Sequence, residues 1–325
     1  MTPPATHLPF AWQALRGQRG LGRFLAVILA VTAGLLLGSR PFVALLRSSE
    51  VVRQRGLGGA VPAPDALGLR AWMFYGLQLL PFAVCLLALG VAVRWLHRRP
   101  VRSLVTGRAR ALRWRRIGAA ALAWSLLMVA VDLAEAYALG RAYAIAFEPA
   151  TFWPVAAVLL ALIPLQIAFE ELAIRGYLLQ AATAASGRAW LGVAVSAVVF
   201  AGLHLGNPEV RAFGLPVMLA YYSAVALFLG GLAVLDDGLE LPLGIHLATN
   251  LYSTLVVNFS SSALPTPSLF VKETVDAPLM LFAFLAQAIA FLAAFAKTRR
   301  ANLAAFAEVP RGSATPLAPR DPLTP

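Results

Sequence analysis

The chain reads as an all-α protein, a polytopic transmembrane helical bundle of about eight helices. Of its 325 residues 60% are hydrophobic and only 13% are charged, against about 25% charged in ordinary soluble domains. The apolar residues also collect into eight segments, at residues 24–38, 71–93, 117–138, 152–180, 189–205, 214–235, 239–257 and 277–297. Most of these approach the roughly 20 residues that cross a hydrocarbon core of about 30 Å.

Segment one follows Arg16, Arg19 and Arg23 and is not followed by a small-x-small cleavage pattern, so it reads as a spanning helix and not as a secretory signal. Segment two holds the single cysteine, Cys85, as an apolar filler; one cysteine permits neither an internal disulfide nor a thiolate metal cage. Nine arginines lie between Arg94 and Arg116, whereas the loop after segment three offers Arg141 against Glu148. The positive-inside rule therefore puts the 94–116 loop in the cytoplasm. Eight spans then place both termini there, in agreement with Lys297, Arg299 and Arg300 at the far end. The loop bearing Arg40, Arg47, Arg53, Arg55 and Arg70 runs against this assignment.

The expected location is a bacterial inner membrane, with the lipid bilayer as partner. The formal net charge is +12, but the basic residues flank apolar segments without any nucleic-acid-binding motif, so nucleic acid is not an expected partner. The excess of 25 arginines over 2 lysines reads as base composition. Residues 1–20 form an N-terminal extension, 21–298 the bundle with its chemical motifs in 152–257, and 299–325 a tail rich in Pro, Gly, Ser and Thr that reads as disordered. Trp114, Trp153 and Trp190 stand near segment starts, as in an interfacial aromatic belt. His7 and His97 read as solvated, Asp132 and Glu135 as interfacial, and Asp236 and Asp237 as turn residues.

Polar content is concentrated in segments four, five and seven. Segment four is long, roughly 43 Å at 1.5 Å per residue, and must tilt, project or break at Pro164. Its Glu171 and Arg175 are an i,i+4 pair able to neutralise each other, while Glu170 points about 100° away as the carboxylate left free for acid–base work. The other reading is a solvated helix end. In segment five Phe200 and His204 share the i,i+4 spacing, and Gly206-Asn207-Pro208 ends the helix. Counted from the Ser186-Gly187 turn, Glu170 and His204 lie at matching depth in a hairpin. His246 and Asn250 form a third i,i+4 pair in segment seven, but the turn at Asp236 puts His246 at a shallower depth than His204. A broken or partly submerged helix would remove that mismatch.

Glu-Glu-x-x-x-Arg at 170–175, Phe-x-x-x-His at 200–204 and His-x-x-x-Asn at 246–250 resemble, in this order on separate apolar segments, the three motifs of the CPBP family of CAAX proteases and bacteriocin-processing enzymes. The resemblance spans about Phe152 to Tyr252. It implies an intramembrane endopeptidase in which Glu170 and His204 activate a water, His246 and Asn250 stabilise the oxyanion, and Arg175 locks Glu171, with Phe200 supporting. It leaves open whether Glu170, His204 and His246 hold a zinc ion or act without metal. The implied substrate is a membrane-associated peptide or protein. A non-catalytic scaffold or bacteriocin-immunity protein, and a proton-coupled transporter using Glu170 and His204 as a relay, are the competing functions; the chain shows no internal repeat of the kind common in transporters.

Overall fold

The computed structural model describes residues 8–55, 63–107, 112–298 and 306; His7 and the expected disordered tail from Val309 lie outside them. Eight apolar helices follow one another: α1 (Leu21–Ser48), α2 (Ala71–Leu96), α3 (Trp114–Ala138), α4 (Pro149–Ser186), α5 (Ala189–Leu203), α6 (Leu215–Leu235), α7 (Glu240–Leu255) and α8 (Ala277–Thr298). Six of them, α1 to α4, α6 and α8, are long and apolar enough to cross a membrane. With 15 and 16 residues, α5 and α7 reach only about 22–24 Å at 1.5 Å per residue.

Local sequence explains where these helices start and stop. Pro149 supplies the pre-set φ of a first helical turn, and the Glu148 carboxylate caps the Ala150 N–H. Of the three ways open to this long segment, a break at Pro164 is not taken: the proline leaves α4 uninterrupted. The helix instead widens into a π-helix over Leu172–Leu179 before an α-helical end, and it stops at Gly187 in the left-handed conformation, φ 71°. Many large apolar side chains on α1, α3, α5 and α8 face outward, among them Leu29, Leu36, Leu126, Val198 and Ile289, as a lipid-facing surface requires. Trp114, Trp153 and Trp190 are likewise exposed near helix starts, as expected of a belt.

In packing terms α1 lies on α2, α2 on α4, α4 and α3 on α7, and α5 on α6. The two ends of the bundle differ. At one end, a 3₁₀ turn at Phe10–Arg16 and another at Val101–Leu104 fold inward and bury Phe10, Trp12, Ser103 and Leu104. This is the strap end. At the other end three short strands, Tyr143–Ile145, Val257–Asn258 and Phe270–Lys272, form a small sheet that no apolar periodicity announced. Lys272 of the third strand pairs with Asp132 at 3.0 Å and Glu135 at 2.9 Å, and Tyr252 donates to Asp132 at 2.6 Å. The two acidic residues at the end of α3 thus fasten the sheet to the helices.

Two further expectations are corrected at the strap end. His97 is not solvated: it is half-buried, its Nδ1–H donates to the Gln18 carbonyl at 2.7 Å, and its Nε2 meets the Tyr177 hydroxyl at 2.8 Å. Asp236 is more than a turn residue, because its fully buried carboxylate pairs with Arg113 and Arg116.

Candidate active site

The strap sets the depth of the candidate residues. Gly176 of α4 lies so close under Leu104 that a Cβ there would stand 2.5 Å from the Leu104 carbonyl oxygen. The Leu239 N–H, just before α7, donates to the Val105 carbonyl at 2.7 Å. Gly176 and Glu240 are therefore level. Glu170 lies six residues beyond the first and His246 six residues beyond the second, each about 9 Å deeper into the bundle. The depth mismatch expected for His246 disappears because α4 runs ten residues past the strap while α7 begins at it.

Around this level the structure gathers three of the motifs. Glu171 and Arg175 are completely buried and joined at 2.9 Å from Nη1 to Oε1. The same Glu171 Oε1 accepts the Nδ1–H of His246 at 2.8 Å. Because a carboxylate in an ion pair only accepts, that bond fixes the His246 proton on Nδ1 and turns its Nε2 toward Glu170, 3.5 Å from Oε2. Glu170 is half-buried and accepts from Gln166 Nε2 at 3.1 Å, one turn earlier on α4.

His204 caps α5, and its Nδ1–H donates to the Phe200 carbonyl at 2.7 Å, which leaves Nε2 as the available nitrogen. Its ring packs on Phe200 at 4.2 Å between centroids and on Tyr222 at 4.8 Å. Phe200 is the common floor: the Arg175 guanidinium lies 4.2 Å over its ring, and His246 approaches it at 6.2 Å. His204 stands within electrostatic reach of Glu170, His246 and Arg175, but no bond joins it to Glu170. Asn250 lies one turn beyond His246 on α7, and among the described residues its amide has no hydrogen-bond partner.

Two contributors were missed by sequence reasoning. Gln166 stands four residues before Glu170, a spacing that announces a shared face. Tyr222 on α6 receives the Asn207 amide at 3.2 Å and carried no sequence signal. Buried polar atoms without partners also cluster here, namely Gln166 Oε1, Glu171 Oε2, and Nε and Nη2 of Arg175. As for zinc, the fit is incomplete: among the described residues no three His, Cys, Asp or Glu side chains converge as ligands would.

Residues 149–252 match the family model described as type II CAAX prenyl endopeptidase Rce1-like. The match is to the Rce1-like family. It covers about a third of the chain and contains the three motifs and every residue of the cluster. A curated relative, the uncharacterized protein YyaK of Bacillus subtilis (strain 168), is 31% identical over 184 residues, which is 55% of this chain and 60% of YyaK. The chain thus aligns with about three-fifths of that relative's length. No solved structure matches the chain. The Rce1-like segment begins at the first residue of α4 and ends near the C-terminus of α7, so the elements that converge on Glu170 and His246 are those the family match covers.

Proposed function

We propose that the protein is an intramembrane endopeptidase of the CAAX-protease type, which hydrolyses a peptide bond of a membrane-associated protein or peptide. The observation that carries this reading is the position of His246 between two carboxylates of different status. Glu171 is neutralised by Arg175 and orients the ring; Glu170 lies outside that ion pair and faces the ring's other nitrogen. A purely structural network would have no need of a second carboxylate outside the Glu171–Arg175 pair.

In this reading Glu170 takes a proton from a water that His204 Nε2 also orients, and the water oxygen attacks the scissile carbonyl carbon. Negative charge develops on the carbonyl oxygen. His246 Nε2 and the Asn250 amide face it as donors, and because His246 Nδ1–H is already committed to Glu171, donation from Nε2 requires the doubly protonated ring. When the C–N bond breaks, Glu170 returns its proton to the leaving amine. No step is routed through a metal.

The strap end, with its arginines, is proposed to face the cytoplasm. The scaffold reading would leave Glu170 without a task, and the transporter reading needs a second accessible face. The test is cleavage of a panel of fluorogenic membrane peptides, prenylated ones included, by purified protein in nanodiscs. Cleavage abolished by Glu170→Gln and by His204→Ala, and retained in chelator, is the expected result. Cleavage that survives both substitutions overturns the assignment, and loss on chelation with recovery on zinc overturns the metal-free step.

A further inference from the structure

The strap end is divided electrostatically. On the α3–α7 side two arginines are neutralised: Arg113 pairs with Asp236 at 2.9 Å and Glu240 at 2.7 Å, and Arg116 with Asp236 at 2.5 Å. On the α1–α2 side the chain stretches that meet are 8–24 and 94–104, and neither contains a single Asp or Glu. They are tied together by backbone. Gln18 N–H donates to the His97 carbonyl at 2.8 Å, His97 Nδ1–H donates back to the Gln18 carbonyl, and a Cβ at Gly17 would stand 3.2 Å from the Arg99 side chain.

This arrangement brings Arg16, Arg19, Arg23, Arg98 and Arg99 around one junction with no carboxylate among the described residues beside them. Arg99 is the buried member, only 3% exposed. Its Nη2 donates to Gln180 Oε1 at 3.0 Å, but its Nε is buried without a partner. Burial without an anion pushes its pKa down to about 10. Burial, together with the charges of Arg99 and Arg23, also holds His97 below its ordinary value. Arg98 adopts φ 52°, a left-handed conformation that glycine would take without cost, so the position keeps a cationic side chain where the backbone does not favour one. Arg16, Arg19 and Arg98 are exposed. Directly below the junction, α1 and α2 present lipid-facing leucines such as Leu25, Leu29 and Leu87.

We propose that this junction is a docking surface for the phosphate of an anionic phospholipid headgroup, held by Arg19, Arg23 and Arg98 above the acyl chains that run along α1 and α2. A phosphodiester supplies the missing counter-charge for a guanidinium cluster at the level where a membrane holds it, and guanidinium groups match phosphate oxygens in fork geometry. The occupied surface fastens the N-terminal strap to the turn at His97. This inference stands independently of the peptidase reading.

The test uses the full chain in nanodiscs of phosphatidylcholine alone or mixed with phosphatidylglycerol, with lipid retention read by native mass spectrometry and stability by Tm. Phosphatidylglycerol is expected to be retained and to raise Tm, whereas inorganic phosphate added to phosphatidylcholine discs leaves Tm unchanged. The triple variant Arg19→Gln/Arg23→Gln/Arg98→Gln is expected to bind phosphatidylglycerol about 100-fold more weakly, from roughly fivefold per basic residue, while keeping its Tm in phosphatidylcholine. Arg70→Gln, at the sheet end, keeps the effect. If the triple variant does not fold, Arg19→Gln alone should show the fivefold loss. Retention unchanged in these variants, or a Tm shift reproduced by inorganic phosphate, overturns the proposal.

Discussion

Glu171 fixes both the tautomer and the aim of His246. Its Oε1 accepts the imidazole Nδ1–H at 2.8 Å while also holding the Arg175 guanidinium at 2.9 Å, and the ring's Nε2 then comes to 3.5 Å from Glu170. Two adjacent glutamates therefore do separate jobs, one inside a closed ion pair and one beside it.

That division predicts different outcomes for two isosteric changes. Glu170→Gln keeps the shape and the Gln166 contact but removes the base, so hydrolysis should fall by about 10²- to 10⁴-fold with Tm nearly unchanged. Glu171→Gln should lower Tm as well as activity, because it leaves the Arg175 charge buried alone. A Glu171→Gln protein as stable as wild type would show that the pair does not hold the fold.

Arg175 carries the complementary prediction. It is wholly buried, it stacks on Phe200, and its loss strands the Glu171 carboxylate. Removing one partner of such a pair costs about 3 to 5 kcal/mol, whereas replacing both by apolar residues of similar size is far milder. Thermal melts in detergent should therefore find Arg175→Met less stable than the double variant Glu171→Leu/Arg175→Met, while both are inactive. The reverse order would mean that each residue contributes by itself.

Gln166 is expected to act on turnover and not on folding. Its amide N–H is the only hydrogen bond Glu170 accepts among the described residues, so Gln166→Leu frees the carboxylate to change rotamer. A tenfold or greater fall in kcat with KM close to wild type is the expected signature of a positioning residue. An unchanged kcat would remove Gln166 from the site.

The three motifs were legible in the sequence because i,i+4 spacing survives any reasonable bundle. Three features were not. The shortness of α5 and α7, which leaves six helices of membrane-crossing length, was hidden because an apolar run shows hydrophobicity but not where a helix stops. The π-helix after Glu171 depends on how α4 packs against the strap, which no local pattern encodes. The strap itself was hidden because an arginine-rich stretch reads as a solvated loop, yet Leu104 and Ser103 within it are buried. That hidden contact is also what moves His246 to the depth of Glu170.

Gly176 tests that last relationship. With the Leu104 carbonyl 2.5 Å from where a Cβ would lie, Gly176→Val must push the strap away from α4. Overpacking of this kind costs about 1 to 3 kcal/mol. The displacement should also carry Val105 and its bond to Leu239, and so shift the start of α7. Lower Tm together with lost cleavage is expected, although the residue touches neither Glu170 nor His246. Full activity would show that the strap does not set the register of α7.

Glu209, in the short helix Pro208–Phe213 at the sheet end, provides a prediction about pH. Burial raises its carboxyl above the usual range, against the opposing bonds from its own backbone N–H and from Ala263 N–H at 2.7 Å, and its Oε2 is buried without a partner. The folded state therefore holds the proton to higher pH than the unfolded state does. Stability from this group is complete below the ordinary carboxylate value near about 4.3 and declines as pH rises through the raised value, because unfolding then releases a proton. Glu209→Gln keeps an oxygen for the Ala263 N–H and has no proton to lose. Its Tm relative to wild type should therefore increase between about pH 4 and pH 8 and level off once the wild-type carboxyl has ionised. A difference in Tm that is the same at both ends of the range would show that Glu209 is not protonated in the fold.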